Sequence, residues 1–167
     1  MSATINKEEK AQHRRDQIIA AARICFRRSG FHGAGMAEIA KHAELSVGQI
    51  YRYFANKDAI IEEIVRRITQ QKLQFMNFGD QQDHLVHVIH ALSMRKTLDI
   101  MPMHEYDHAL MLEVTAEAMR NPRVAEILQE SDSRLFQQAC TLMASHYPHF
   151  TLAQIAARVC LLYTSDA

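Results

Sequence analysis

With 167 residues, 48% of them hydrophobic and 23% charged, the chain is long enough to bury one or two small cores. Five glycines and three prolines supply too little turn chemistry for a sandwich or barrel, and no apolar run reaches the length of a membrane span. The net charge is zero, yet residues 1–60 carry ten Lys and Arg against six Asp and Glu, a local excess of the kind that phosphate-binding modules use.

The start, MSATINKEEKAQHRR, is polar and lacks the apolar stretch of a signal peptide, so a cytoplasmic protein is expected. A first helix is predicted over about residues 12–29, with Ile18, Ala22, Cys25, Phe26 and Ser29 at helical spacing on one face. Gly30 is the expected stop. Ahead of that helix, Lys7, Lys10, Arg14 and Arg15 read either as an arm touching a nucleic-acid backbone or as a solvated tail. Met36, Ile39, Ala40 and Ala43 repeat the helical spacing over a short second helix, followed by the turn Glu44-Leu45-Ser46.

Ser46 is a good N-cap for a third helix carrying Val47, Ile50, Tyr51 and Phe54, and Gln49 three residues on completes a capping box. Asn56 caps a fourth helix predicted to continue to about residue 77. Lys57, a cation in that helix's first turn, opposes the macrodipole, a conflict that a docked phosphate would relieve. Further helices are predicted at about 81–97, 103–119 and 122–146, with Pro102 and Pro122 at first helical positions, and a last segment starts near Thr151. Cys25, Cys140 and Cys160 are far apart with no CxxC pair, which reads as reduced and largely buried thiols.

Two short helices joined by a tight turn after a longer one form the helix-turn-helix pattern. Gly30-Phe31, Met36-Ala37-Glu38-Ile39-Ala40, Ala43-Glu44-Leu45-Ser46-Val47-Gly48, Tyr51-Arg52-Tyr53-Phe54 and Lys57-Asp58 follow one another in fixed order. Over about residues 12–72 this strongly resembles the DNA-binding domain of the TetR family of transcriptional regulators. The resemblance implies an all-α protein. Residues 12–72 would form a three-helix DNA-binding domain and residues 73–159 a helical domain for effector binding and dimerisation. It also implies a homodimeric repressor on a palindromic operator of double-stranded DNA, released by a small-molecule effector and lacking enzymatic activity, cofactor and resident metal.

On this reading the third helix enters the major groove, where Gln49 can pair adenine, Arg52 can pair guanine and Val47 can meet a thymine methyl. Gly48 lets the backbone approach DNA, Ser46 caps the helix, and Tyr51, Tyr53 and Lys57 match family positions that contact phosphate. The family usually has Thr or Ser before the second helix. Here that stretch is Ala34-Gly35-Met36, so backbone N–H groups of Gly35 and Met36 must take over the contact. The family also often has His where Tyr53 stands.

The stretch Glu113–Ala125 resembles the end of one family helix and the start of the next. Phe75, Met94, Met101, His104, His108 and Met111, with Phe78 and Met103, are candidates to line an effector cavity, although the same pattern is what a plain helical core gives. His104-Glu105-Tyr106-Asp107-His108 has the H-E-x-x-H spacing of zinc proteases but no third ligand at a matching distance. His84, His87 and His90 recur every three residues. The alternative reading is therefore a metal-responsive regulator sensing through His84, His87, His104 and His108, and a metallohydrolase using Glu105 is a more distant one. The final string, residues 160–167, resembles the translation of a sequencing-library adapter, which makes a non-native tail and a missing natural end the expectation.

Overall fold

The computed structural model describes residues 2–77 and 108–164, and every regular element among them is helical. In chain order these are α1 (Ser2–Gly33), α2 (Met36–His42), α3 (Val47–Tyr51), α4 (Lys57–Asn77), α5 (His108–Ala118), α6 (Pro122–His146) and α7 (Leu152–Thr164). By contacts the chain divides into two compact units, residues 1–65 with 108–128 and residues 66–107 with 129–167.

In the first unit, α1 begins ten residues before the predicted start. Residues 2–11 lack both Gly and Pro and include two each of Glu, Lys and Ala, which favour helix without needing an apolar face. On the exposed side Gln12 bonds Asp16 at 2.9 Å and Arg14 bonds Gln17 at 2.7 Å, the pairings that i,i+4 and i,i+3 spacing allows. The inner side carries Ile18, Ala22, Cys25 and Phe26, all essentially without solvent contact. α1 packs against α2 and α5, and α2 packs against α3. Ile39, Ile50, Phe54, Ile60, Ile61, Ile64, Leu110, Val114 and Val124 are among the unit's other buried apolar residues.

Gly30 breaks α1 as expected, but one more helical turn follows, Phe31–Gly33. The backbone at Gly30 has φ 68° and ψ 170°, a region open to glycine alone. The break frees the Phe31 N–H from the helix ladder, and Glu113 on α5 accepts it at 2.7 Å. One turn further along α5, buried Glu117 sits 3.4 Å from His32 and 3.3 Å from Arg120. Asn121 caps α6 with its side-chain oxygen on Arg123 N–H and donates to Asp58 of α4. Arg123 then pairs with Glu62 at 2.9 Å.

α2 ends in a Schellman motif: Leu45 N–H donates to the Ala40 carbonyl at 3.0 Å and Glu44 N–H to the Lys41 carbonyl at 3.2 Å. This places Glu44 at φ 53°, where a side chain costs about 1 kcal/mol relative to glycine. Glu44→Gly is accordingly expected to raise the melting temperature by about 2–4 °C, read by far-ultraviolet circular dichroism. An unchanged or lower midpoint would contradict the turn geometry.

The second unit is built on Leu135 packed against Leu73, Ala139 and Leu142, and on Met143, Ile155 and Val159 packed against Phe136, Cys140, Tyr147 and Phe150. Thr151 and Gln154 form a reciprocal capping box at the start of α7, where the sequence places a new segment. α7 continues through Cys160 to Thr164. No helix among the described residues is long and apolar enough to cross a membrane.

Candidate nucleic-acid interface

α3 is only five residues long, so its own hydrogen bonds cannot hold it. Its stability comes from both ends and from one anchor. At the start, Ser46 Oγ accepts the Gln49 N–H at 3.2 Å, and Gln49 Oε1 accepts the Ser46 N–H at 2.8 Å. At the end, Tyr53 and Phe54 N–H groups both donate to the Ile50 carbonyl, at 2.8 and 3.0 Å. Ile50 is fully buried and pins the helix to the core.

Almost everything else on α3 faces solvent. Val47, Gly48, Gln49, Tyr51 and Arg52 are exposed, and Tyr51 keeps 53% of its surface open. Val47 with Tyr51, and Gly48 with Arg52, stand one turn apart and so form two adjacent rows on one face. A Cβ at Gly48 would meet nothing within 4 Å, and its φ is not in the left-handed range. A helix-interior glycine costs about 0.5–1 kcal/mol relative to alanine, and nothing inside the chain requires one here.

The end of α3 is braced from α1. Arg15 donates to the Tyr53 carbonyl at 3.2 Å, lies 4.6 Å over the Phe54 ring and sits 3.7 Å from Glu63. Of the two sequence readings of the basic start, neither covers Arg15, whose role is to hold the recognition segment. Lys7, Lys10 and Arg14 are exposed.

Lys57 has a different setting from the one its helix position implies. Its Nζ donates to the Phe31 carbonyl at 2.7 Å and lies 4.5 Å from that ring's centroid. The conflict with the α4 dipole is thus met inside the chain. An ammonium has three donors, so two others remain for a phosphate. Asn56 caps α4 as expected, accepting the Ala59 N–H at 2.8 Å.

Gln49 also has less freedom than its assignment as a base reader assumes. Its Oε1 is held in the capping box, and bidentate pairing to adenine would break that bond. Arg52, exposed and with only its backbone in the cap, carries no such tie. Tyr53 is half-buried beside it. Gly35 caps α2 with no side-chain bond, and Met36 at the first helical position is half-buried, which leaves the first-turn N–H groups without a capping side chain.

Of the residues suggested for an effector cavity, Met94, Met101 and His104 lie outside the described residues, as do Phe78, Met103, His84, His87, His90 and Glu105. Phe75 falls on α4 and His108 on α5, and Met111 on α5 is half-buried. Cys25 is buried, Cys140 half-buried and Cys160 exposed, and none of the three is in a disulfide. Burial pushes the Cys25 thiol above its ordinary value, Glu38 adds to the rise and Arg28 opposes it. Sequence reasoning missed Glu113 and Glu117. Their signal was two carboxylates at i,i+4 on a mostly apolar helix, which is unexpected unless the face they share meets donors.

Residues 18–64 match the family model described as bacterial regulatory proteins, tetR family. The chain is 33% identical over 126 residues to the HTH-type transcriptional regulator UidR of Escherichia coli strain K12, a match covering 74% of this chain and 61% of that protein. The chain therefore spans about three fifths of the length of that curated relative. It is 28% identical over 151 residues to the HTH-type transcriptional regulator BetI of Stenotrophomonas maltophilia, covering 87% of this chain and 74% of that one. Among solved structures it superposes on Salmonella enterica GusR with a TM-score of 0.69 at 26% identity, covering 90% of this chain and 80% of that one.

Proposed function

Because the chain belongs to the TetR family of transcriptional regulators, we propose that it acts by placing α3 in the major groove of double-stranded DNA. The observation that carries this reading is the exposed face of α3, presented on a braced, capped and anchored helix with a glycine in its first turn that no packing inside the chain requires. Arg52 pairs guanine and Val47 meets a thymine methyl. Tyr51, Tyr53, Lys57 and the first-turn N–H groups of α2 at Gly35 and Met36 hold phosphates. Gln49 together with Ser46 shapes the helix first, and touches bases only through its free amide nitrogen.

The protein is proposed to be a homodimer on a palindromic operator, so that two copies of α3 read two half-sites. Repression, released when a small molecule binds the helical region after residue 72, completes the reading. That region includes Phe75, Met94, Met101, His104, His108 and Met111. Release needs an effector that prefers the state unable to bind DNA.

Gly48→Ala separates this function from folding because the two respond with opposite sign. The unbound chain should melt higher, by roughly 0.5–1 kcal/mol of added stability. Duplex affinity, read by fluorescence anisotropy, should fall on the order of tenfold, about 1.4 kcal/mol, as the methyl group enters the gap between helix and bases. A stabilised variant with unchanged DNA affinity would remove α3 from the interface.

A further inference from the structure

We infer that Cys25, Glu38 and His42 form a site for a thiophilic divalent cation of the zinc class, clipping α2 to α1. Cys25 Sγ, a Glu38 carboxylate oxygen and a His42 ring nitrogen all lie within 4.8 Å of one another. Glu38 and His42 stand four residues apart on α2, and therefore on one face of one helix. That face meets Cys25 on α1, and Ser29, one turn beyond Cys25, bonds Glu38 through its hydroxyl at 3.4 Å.

Helix-dipole preferences explain an acid in the first turn of α2 and a histidine in its last turn. They do not explain why both converge on a buried thiol from another helix. A thiolate, an imidazole and a carboxylate are together the ligand set of zinc and its analogues, with a water completing a tetrahedron. Tetrahedral zinc places its ligand atoms roughly 3.5 Å apart, given bonds of about 2.0–2.3 Å. Closing from 4.8 Å asks only for rotation of His42, which is exposed, and Glu38, which is half-buried. Cys25 lies fixed in the core and sets where the ion sits. Ser29 then orients the Glu38 carboxylate from outside the ligand set, as groups that hydrogen-bond metal ligands do.

The site uses none of the histidines at 84, 87, 104 and 108, and its three residues lie within the segment that matches the family model. A cation there would stiffen the α1–α2 frame on which α3 is carried.

The test is titration of the full chain with cobalt(II), in a Cys140→Ser, Cys160→Ser background that leaves Cys25 as the sole thiol. One equivalent should raise a thiolate-to-cobalt charge-transfer band, displaced by zinc(II). His42→Gln and Glu38→Gln, each shown folded by circular dichroism, should each weaken the affinity at least tenfold, and Cys25→Ser should abolish the band. Zinc should also raise the melting temperature of the background protein but not of its His42→Gln derivative. No band in the background protein, or a band indifferent to both His42→Gln and Glu38→Gln, would overturn the site.

Discussion

Replacing Gly30 with alanine is expected to lower the melting temperature by about 10 °C. Two effects add. The backbone at φ 68° and ψ 170° strains any L side chain by roughly 1–3 kcal/mol. The new Cβ would also stand 2.9 Å from Glu113 Oε1, the atom that accepts the Phe31 N–H. Pushing Glu113 away leaves a part-buried N–H unmet, worth about 1–3 kcal/mol. Together this is on the order of 2–6 kcal/mol out of a typical 5–15, and a chain of this size loses about 2–4 °C per kcal/mol. Thermal unfolding followed by circular dichroism reads the shift. Adding Glu113→Ala should cost less on the Gly30→Ala background than on the wild type, because the two substitutions act on one bond. Strict additivity, or a Gly30→Ala chain as stable as the wild type, would contradict the geometry of this joint.

Arg52→Ala is expected to leave the fold alone and to remove base preference at one position of the DNA site. The side chain is exposed, and its contribution to the end of α3 runs through the backbone, so stability should change by less than about 0.5 kcal/mol. Losing a bidentate guanine contact costs about 1–3 kcal/mol on the preferred sequence and little on others. Competition binding with duplexes substituted at each base pair reads this directly. Affinity falling equally on all sequences would make Arg52 a phosphate contact. Gln49→Ala is a poorer probe, since it also removes half of the capping box and about 1 kcal/mol of helix stability with it.

The recognition segment was legible because its chemistry is local. Ser46 and Gln49 are three residues apart, Asn56 precedes α4, and the apolar positions of α2 and α3 follow one helical period, so sequence alone suffices for their caps and faces. Gly30 was legible as a break for the same reason, although the short turn beyond it depends on Glu113, a partner 82 residues away. The early start of α1 escaped notice because an exposed polar helix shows no apolar period, and its residues signal only through propensity. The surroundings of Lys57 were not legible in the sequence. The dipole conflict was real, but the Phe31 carbonyl and ring that relieve it come from a different helix. Gln49 shows the reverse problem: capping and base reading were both assigned to one amide, and geometry lets its oxygen serve one at a time. The meeting of Cys25 with Glu38 and His42 was invisible in the sequence, because it needs the angle at which α1 and α2 pack.

Selection of binding sites from random duplexes tests the central claim most directly. The folded chain should enrich a defined motif containing a guanine whose identity is lost when Arg52→Ala is used instead. A chain shown to be folded that enriches no motif, or that enriches the same motif with and without the Arg52 side chain, would contradict the assignment of α3 as the reader of DNA.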